Sequence, residues 1–225
     1  MFTGIIEAVG VVAAAEEVQG DLRLYIRTGD LDLSDVKLGD SIAVNGVCLT
    51  AVALPGDGFW ADVSRETLVH TRFPSLMPGQ RVNLEKAMQP TTRFGGHIVT
   101  GHVDGLGEVI SIESDARSVR YQIRAPQVIA RYIAAKGSIT VDGVSLTANA
   151  VDGQVFDLNI VPHTAQETII ASYQSGQKVH LEVDIIARYM ERLINYSDAT
   201  DINTTEAVGG VSMATLASAG FLNRR

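Results

Sequence analysis

The chain has 225 residues, of which 46% are hydrophobic, with one cysteine and a formal net charge of -8. That length and apolar share allow one or two packed domains, and an acidic balance without a basic run argues against nucleic acid or an anionic membrane as the main partner. No apolar run approaches the roughly 18 residues of a spanning helix, the start MFTGIIEAVG lacks the pattern of a secretory leader, and lone Cys48 permits no intrachain disulfide, as expected in a reducing cytoplasm.

Taken in chain order, the sequence is one pattern written twice. Thr3-Gly4 returns 97 positions later as Thr100-Gly101. SIAVNGVCLTA from Ser41 returns as SITVDGVSLTA from Ser138, and GQRVNLE from Gly79 as GQKVHLE from Gly176. Phe59 matches Phe156 and Thr67 matches Thr164 at the same offset, with no insertion between the blocks. A register held through so many segments marks a tandem duplication. It predicts domains over 1–97 and 98–184, each mostly strand. The Val-, Ile- and Thr-rich run from Ser138 passes through Asp152-Gly153 into QVFDLNIV, and the first copy carries Pro55-Gly56-Asp57-Gly58 at the same place. Both are turn chemistry between strands. Several short strands in fewer than about 100 residues predict a small closed antiparallel barrel per copy, which removes exposed edges.

A short helix is predicted from Pro126 to about Lys136, started by Pro, striped by Val128, Ile129, Tyr132 and Ile133, and ended by Gly137. Thr164-Ala-Gln-Glu167 fits a capping box for another. After the second copy, DIIARYMERLINY places Ile186, Met190 and Leu193 at helical spacing, so a helix is predicted over 185–196. Alone it is marginal, and its stripe must pack within the chain or against other subunits. From 197 to 225 the chain is rich in Ala, Gly, Ser and Thr, and weak order is expected.

The offset also pairs positions where the copies exchange chemistry. Ile5 stands opposite His102, Gly39 opposite Lys136, Cys48 opposite Ser145, Asp62 opposite Asn159, Ser64 opposite Val161 and Glu66 opposite His163. Thr50 and Thr147, and Thr67 and Thr164, are shared. Shared polar residues suit a common ligand skeleton, and exchanged ones suit distinct roles. Each has a plainer alternative. Cys48, between Val47 and Leu49, reads equally as a small buried apolar residue. His97 and His102 match no zinc spacing, and no Cys or carboxylate completes a set, so no metal is expected. Lys136 could cap a helix C-terminus, the glycines before His97 and His102 could mark turns, and Ser145 and Thr147 could be ordinary strand residues. No P-loop, dinucleotide fingerprint, Ser-His-Asp or HExxH arrangement occurs. Residue chemistry alone reaches a tandem-barrel ligand binder.

Together, MFTGIIE, NGVCLT, GGHIVTGHVDG, KGSITVDGVSLT and VPHT resemble the riboflavin synthase family over about residues 1–195. The resemblance implies an all-β fold of two tandem Greek-key barrels with a C-terminal α-helix, and a homotrimer formed through that helix. It implies a cofactor-independent transferase that converts two molecules of 6,7-dimethyl-8-ribityllumazine into riboflavin and 5-amino-6-ribitylaminouracil by moving a four-carbon unit. The first barrel of one subunit would face the second barrel of its neighbour. By resemblance the first pocket is lined by Gly4, Ile5, Ile6, Cys48, Leu49, Thr50, Asp62, Val63, Ser64, Arg65, Glu66 and Thr67. The second is lined by Gly101, His102, Val103, Lys136, Ser145, Leu146, Thr147, Asn159, Ile160, Val161, Pro162, His163 and Thr164. Cys48, His102, Lys136, Ser145 and Thr147 are the candidate catalytic residues. His102 would move a proton, Ser145 and Thr147 would orient it or a ligand edge, and Cys48 would act as nucleophile or as a hydrogen-bonding and packing residue. Expected partners are the lumazine, riboflavin and further copies of the chain in the cytoplasm, with lumazine synthase left open. The alternative is a non-catalytic lumazine- or flavin-binding antenna protein of the same fold. Such relatives have generally lost part of the second-barrel chemistry, whereas Cys48, His97, His102, Lys136 and Ser145 are all present here.

Overall fold

The repeat is carried into the backbone. In the computed structural model, which describes residues 1–200 with side chains through Tyr196, the first copy holds β1 (Ala8–Val18), β2 (Asp21–Arg27), β3 (Ser41–Val44), β4 (Val47–Ala53), β5 (Gly58–Val63) and β6 (Arg81–Lys86). The second holds β7 (Gly105–Asp115), β8 (Ser118–Arg124), β9 (Ser138–Val141), β10 (Val144–Thr147), β11 (Ala150–Asp152), β12 (Val155–Ile160) and β13 (Lys178–Val183). Even the irregularity repeats: the β1–β2 register shifts between Val12 and Ala14, and the β7–β8 register between Val109 and Ser111.

The first copy closes as β1-β2-β5-β4-β3-β6. In the second, the counterpart of β4 breaks into β10 and β11. The sheet runs β10-β9-β13-β7-β8-β12-β11, so its two edge strands are consecutive in the chain. The Asn149 N–H donates to the Asp157 carbonyl at 2.8 Å, which continues the pairing across the break. The expected tandem β-barrel architecture is therefore present, strictly closed in the first copy and curled with one interrupted strand in the second.

Turn chemistry sets the registers. Asn45-Gly46 joins β3 to β4 and Asp142-Gly143 joins β9 to β10. All four residues have positive φ (48, 78, 42 and 85°), the conformation whose twist matches flanking antiparallel strands. Gly153 turns β11 into β12 at the expected Asp152-Gly153 site. Inward residues fill each barrel: Leu24, Ile26, Ile42, Phe59 and Leu84 in the first, Ile123, Ile139, Phe156, Leu158 and Leu181 in the second. Each such side chain stabilises by about 1.5–3 kcal/mol on burial.

The helices are where sequence and structure part. The predicted helix from Pro126 to Lys136 is only α2 (Gln127–Ala130), with Pro126 as its N-cap. The chain then continues in tight turns, Tyr132 N–H to the Ile129 carbonyl and Ile133 N–H to the Ala130 carbonyl. Those turns bury Ile129 and Ile133 and leave Val128 exposed. Thr164 does not cap a helix; it lies inside α3 (Pro162–Glu167), whose N-cap is Val161. In the first copy Ser64 caps α1 (Arg65–His70) by accepting the Thr67 N–H. Pro162, which has no N–H to satisfy, makes a polar cap less necessary in the second. The last helix, α4 (Ile185–Thr200), starts as predicted and runs four residues past the predicted end; Ile186, Met190 and Leu193 are each more than half exposed. Of the tail expected to be weakly ordered, 197–225, residues 197–200 continue α4 and the remainder lies outside the described residues.

Both barrels belong to one compact unit, Met1–Ala187. Their seam is built on the repeat. The turn tips meet: a Cβ on Gly46 would stand 2.7 Å from the Gly143 nitrogen, and the reverse holds for Gly143. Matched residues Asn83 and His180 make matched bonds across the seam. The Asn83 amide donates to the Asp142 carbonyl at 2.8 Å and accepts the Ile169 N–H at 2.9 Å. His180 Nδ1 donates to the Asn45 carbonyl and Nε2 accepts the Arg72 N–H, both at 2.8 Å. That pairing requires a neutral imidazole, and burial holds its pKa below the ordinary histidine range.

Candidate functional site

Side chains alternate across a strand, and the polar site residues take the outward positions while the expected pocket residues Leu49, Val63 and Ile160 point into the cores. On β4 and β5, Leu49 and Val63 point into the core, while Thr50, Asp62 and Ser64 face solvent and Cys48 is half-buried. The second copy repeats this: Ile160 is inward, Thr147, Asn159 and Val161 are exposed, and Ser145 is half-buried. The strips face solvent, and at the second one Ile5 lines a cleft of about 560 Å³ with Thr3, Glu85 and Arg93. A cleft of about 770 Å³ between Arg27, Leu33 and Leu54 contains none of the site residues.

Two short segments complete the strips, and they are exchanged between barrels. The Gly101 carbonyl accepts the Cys48 N–H at 2.9 Å, and Val103 packs against the first barrel's core. The Gly4 carbonyl accepts the Ser145 N–H at 2.7 Å, and Ile6 packs against the second barrel's core. Only glycine fits: φ is +76 at Gly4 and +81 at Gly101, and a Cβ would stand 2.6 Å from Ser145 Cβ or Cys48 Cβ, respectively. Within one chain, then, Gly101, His102 and Val103 join Cys48, Leu49, Thr50 and the stretch 62–67. Gly4, Ile5 and Ile6 join Ser145, Leu146, Thr147 and the stretch 159–164. The sequence-based grouping put each segment with its own copy; the structure swaps them.

Each exchanged segment is gripped from behind by a carboxylate. Glu182 accepts the Thr100 N–H at 2.6 Å, the Thr100 hydroxyl at 2.7 Å and the Gly101 N–H at 3.0 Å. Glu85 accepts the Thr3 N–H at 2.6 Å, the Thr3 hydroxyl at 2.8 Å and the Gly4 N–H at 2.9 Å. Comparing the copies singles out neither, because they are the same in both and only the exchanged positions stand out. The signal was there, at the end of GQRVNLE and GQKVHLE.

Burial raises both carboxyls, Glu182 to about 7, with Thr100 and Gly101 pulling it down and Asp104 adding repulsion. A raised carboxyl binds a proton that the unfolded chain has already released. Its stabilising contribution is complete below about pH 4.5 and is lost as the pH rises through about 7. The difference corresponds to roughly 3 kcal/mol at most. Thermal unfolding between about pH 5 and 8 should show this decline, and Glu182→Gln should flatten it. A decline of the same size in the variant would assign it to other groups.

The remaining candidates differ in engagement. His97, on the linker, is buried; its Nδ1 lies 2.7 Å from Ser145 Oγ and its Nε2 3.3 Å from Thr140 Oγ1. Burial lowers its pKa, partly opposed by Asp184. His102 is exposed at the edge of the first strip. Lys136 is exposed in a loop with φ of 67°, where its counterpart Gly39 has φ of 93°. It caps no helix: its N–H donates to the Ala148 carbonyl at 2.7 Å. A left-handed lysine costs energy that the fold must offset. Asp62 is held by both nitrogens of a fork from Arg23, at 2.6 and 3.0 Å, which lowers its pKa. The matched Arg120 turns to Asp115 instead, leaving Asn159 without that ion pair. Glu66 pairs with His70, one turn on. Among the described residues, no three His, Cys, Asp or Glu side chains cluster as a metal site.

Residues 3–87 and 100–184 each match the lumazine binding domain family. Riboflavin synthase of Photobacterium phosphoreum is 52% identical over 222 residues, covering 99% of this chain and 100% of that protein. The riboflavin synthases of Actinobacillus pleuropneumoniae and Bacillus subtilis (strain 168) are 43% and 39% identical, each over 98% of this chain and 100% of theirs. Crystal structures of LumP with 6,7-dimethyl-8-(1'-D-ribityl) lumazine and with riboflavin superpose with TM-scores of 0.73 and 0.76. Both are 24% identical and cover 81% of this chain and 99% of theirs, a likeness of fold.

Proposed function

The chain belongs to the riboflavin synthase family, and from that premise we propose how its geometry carries the family's reaction. The activity is the dismutation of two molecules of 6,7-dimethyl-8-ribityllumazine to riboflavin and 5-amino-6-ribitylaminouracil by four-carbon transfer, without a cofactor. One observation carries the rest of the reading: the chain presents two strips of the same shape and different chemistry. The reaction needs that, because two identical substrates must act as donor and acceptor.

The first strip offers Cys48, Thr50, Asp62 and the His102 segment; the second offers Ser145, Thr147, Asn159 and the Ile5 segment. Backbone N–H and C=O groups along these strips suit the pyrimidine edge, and the Thr, Asp and Asn side chains suit ribityl hydroxyls. The C7 methyl of the lumazine is acidic because its ring delocalises the anion. The protein therefore has to hold two rings in reacting geometry, an advantage that reaches about 7–11 kcal/mol in well-oriented systems, and to move protons. His102 handles protons at the first strip and Ser145, backed by His97, at the second. Lys136 reaches the second ligand as a cation.

Both strips are open, so a neighbouring copy must close them, first strip against second, in a homotrimer assembled through the exposed stripe of α4. Removing residues 185–225 should give monomers with little activity and intact barrels. A truncated chain that still scatters as a trimer would overturn that assembly. For the activity itself, EDTA-treated, cofactor-free protein should consume two lumazines per riboflavin formed. Tight lumazine binding with no turnover would move the chain to the antenna reading.

A further inference from the structure

The swap leaves each exchanged segment held from two sides by two different barrels. Glu182 lies in β13 of the second barrel and Glu85 in β6 of the first; both are 4% exposed. Glu182 takes the N–H edge of Thr100-Gly101, while the C=O edge at Gly101 belongs to Cys48 of the first barrel. Glu85 takes the N–H edge of Thr3-Gly4, while the C=O edge at Gly4 belongs to Ser145 of the second. The next residues are His102 and Ile5. We propose that Glu182 and Glu85 are positioning residues that act across the seam: each, buried in one barrel, fixes the segment that completes the ligand strip of the other.

The chemistry of the acceptor makes the role specific. Three donors converge on each side chain, and above about pH 7, where Glu182 is ionised and where the comparison with glutamine is made, the carboxylate has two oxygens able to take them all. Glutamine is the same size, but one oxygen becomes an NH₂ group, which can only face the Gly101 or Gly4 N–H as a second donor. A buried donor without a partner is costly, so the segment must shift, and it carries one wall of the opposite strip with it. A purely local role predicts the reverse pattern: damage to β13 should harm the second strip, which belongs to the same barrel, before the first.

This proposal rests on the site assignment made above, and the chain supplies a reporter that separates the two. Cys48 is its only cysteine, half-buried on the first strip. The experiment uses the full-length protein, riboflavin as the probe, and iodoacetamide as the thiol reagent. In the wild type, riboflavin should shield Cys48 from alkylation and bind at both strips. In Glu182→Gln, the shielding should be lost at riboflavin concentrations that saturate the wild type, because first-strip affinity falls about tenfold or more, while the second strip still binds. In Glu85→Gln, the shielding should persist and second-strip binding should fall instead. Both variants should lose turnover while single-strip binding survives.

Glu182→Asp keeps the carboxylate with a shorter reach. It should recover part of the shielding, and it carries the same comparison where Gln does not fold. Retained shielding in Glu182→Gln, or equal loss at both strips in either variant, would overturn the positioning role. A wild type in which riboflavin leaves Cys48 unshielded would instead refute the site assignment on which it rests.

Discussion

Ser145→Ala should lower kcat by about a hundredfold or more, the scale of a lost proton-transfer group, with ligand affinity within about threefold of wild type. The structure isolates the hydroxyl for this test. The Ser145 backbone is pinned through its N–H to the Gly4 carbonyl, so removing Oγ leaves the strand in place. What disappears is the contact to His97 Nδ1 at 2.7 Å. Burial keeps His97 below the ordinary histidine range, so near neutral pH it is an uncharged imidazole, able to accept a proton from Oγ. Its Nε2 can then donate to Thr140 Oγ1, which fixes the tautomer. Cys48, the counterpart of Ser145, has Gly101 at its N–H in the same way. The two strips thus share a backbone and differ in the group mounted on it. His102→Gln should also lower kcat with little effect on affinity, through the other strip. Steady-state kinetics beside riboflavin titrations decide both. An unchanged kcat in the two variants would remove these residues from the chemistry.

How far the sequence leads depends on what kind of information each feature needs. The barrels were legible because strand periodicity, turn dipeptides and the 97-residue repeat are local or self-referential. Asp152-Gly153 marks the turn between β11 and β12 whatever surrounds it, whereas the turns at Asn45-Gly46 and Asp142-Gly143 emerge only with the structure. The helix after Pro126 is shorter than its apolar spacing predicts because those positions answer to a core, and tight turns bury Ile129 and Ile133 as well as a helix would. The capping residue at Thr164 was misplaced because Pro162 can start a helix without a polar cap. The swap of Gly4 and Gly101 was illegible for a deeper reason. A repeat says that the two segments are equivalent, and equivalence is blind to exchange: either segment fits beside either Cys48 or Ser145. Only the path of the chain breaks that degeneracy. Glu85 and Glu182 do not stand out in a comparison of the copies because they are identical, and only exchanged residues mark distinct roles.

A fragment of residues 1–97 should make that degeneracy visible. It contains the six strands of the closed barrel and Cys48, but not Gly101, His102 and Val103, which finish the first strip in the intact chain. It does contain their twins, Gly4, Ile5 and Ile6, held by its own Glu85. In a pair of fragments, the Gly4 carbonyl of each can take the Cys48 N–H of the other. Asn83 of each can reach across to the Asn45 turn of its partner, as it now reaches the Asp142 turn. A domain this small is marginally stable alone, and pairing buries the seam face that includes Phe2 and Ala43. The fragment should therefore be a dimer that binds riboflavin, with binding lost as dilution separates the pair. It should turn over at least about a hundredfold more slowly than the intact chain, because Ile5 replaces His102 and both Ser145 and Lys136 are missing. Light scattering, fluorescence quenching by riboflavin and a lumazine assay on the same preparation test this. A monomer that binds riboflavin as tightly as the intact chain would show that the exchanged segment is dispensable. Near-native turnover would show that the chemical difference between the copies is incidental, and the roles given to His102 and Ser145 would fall with it.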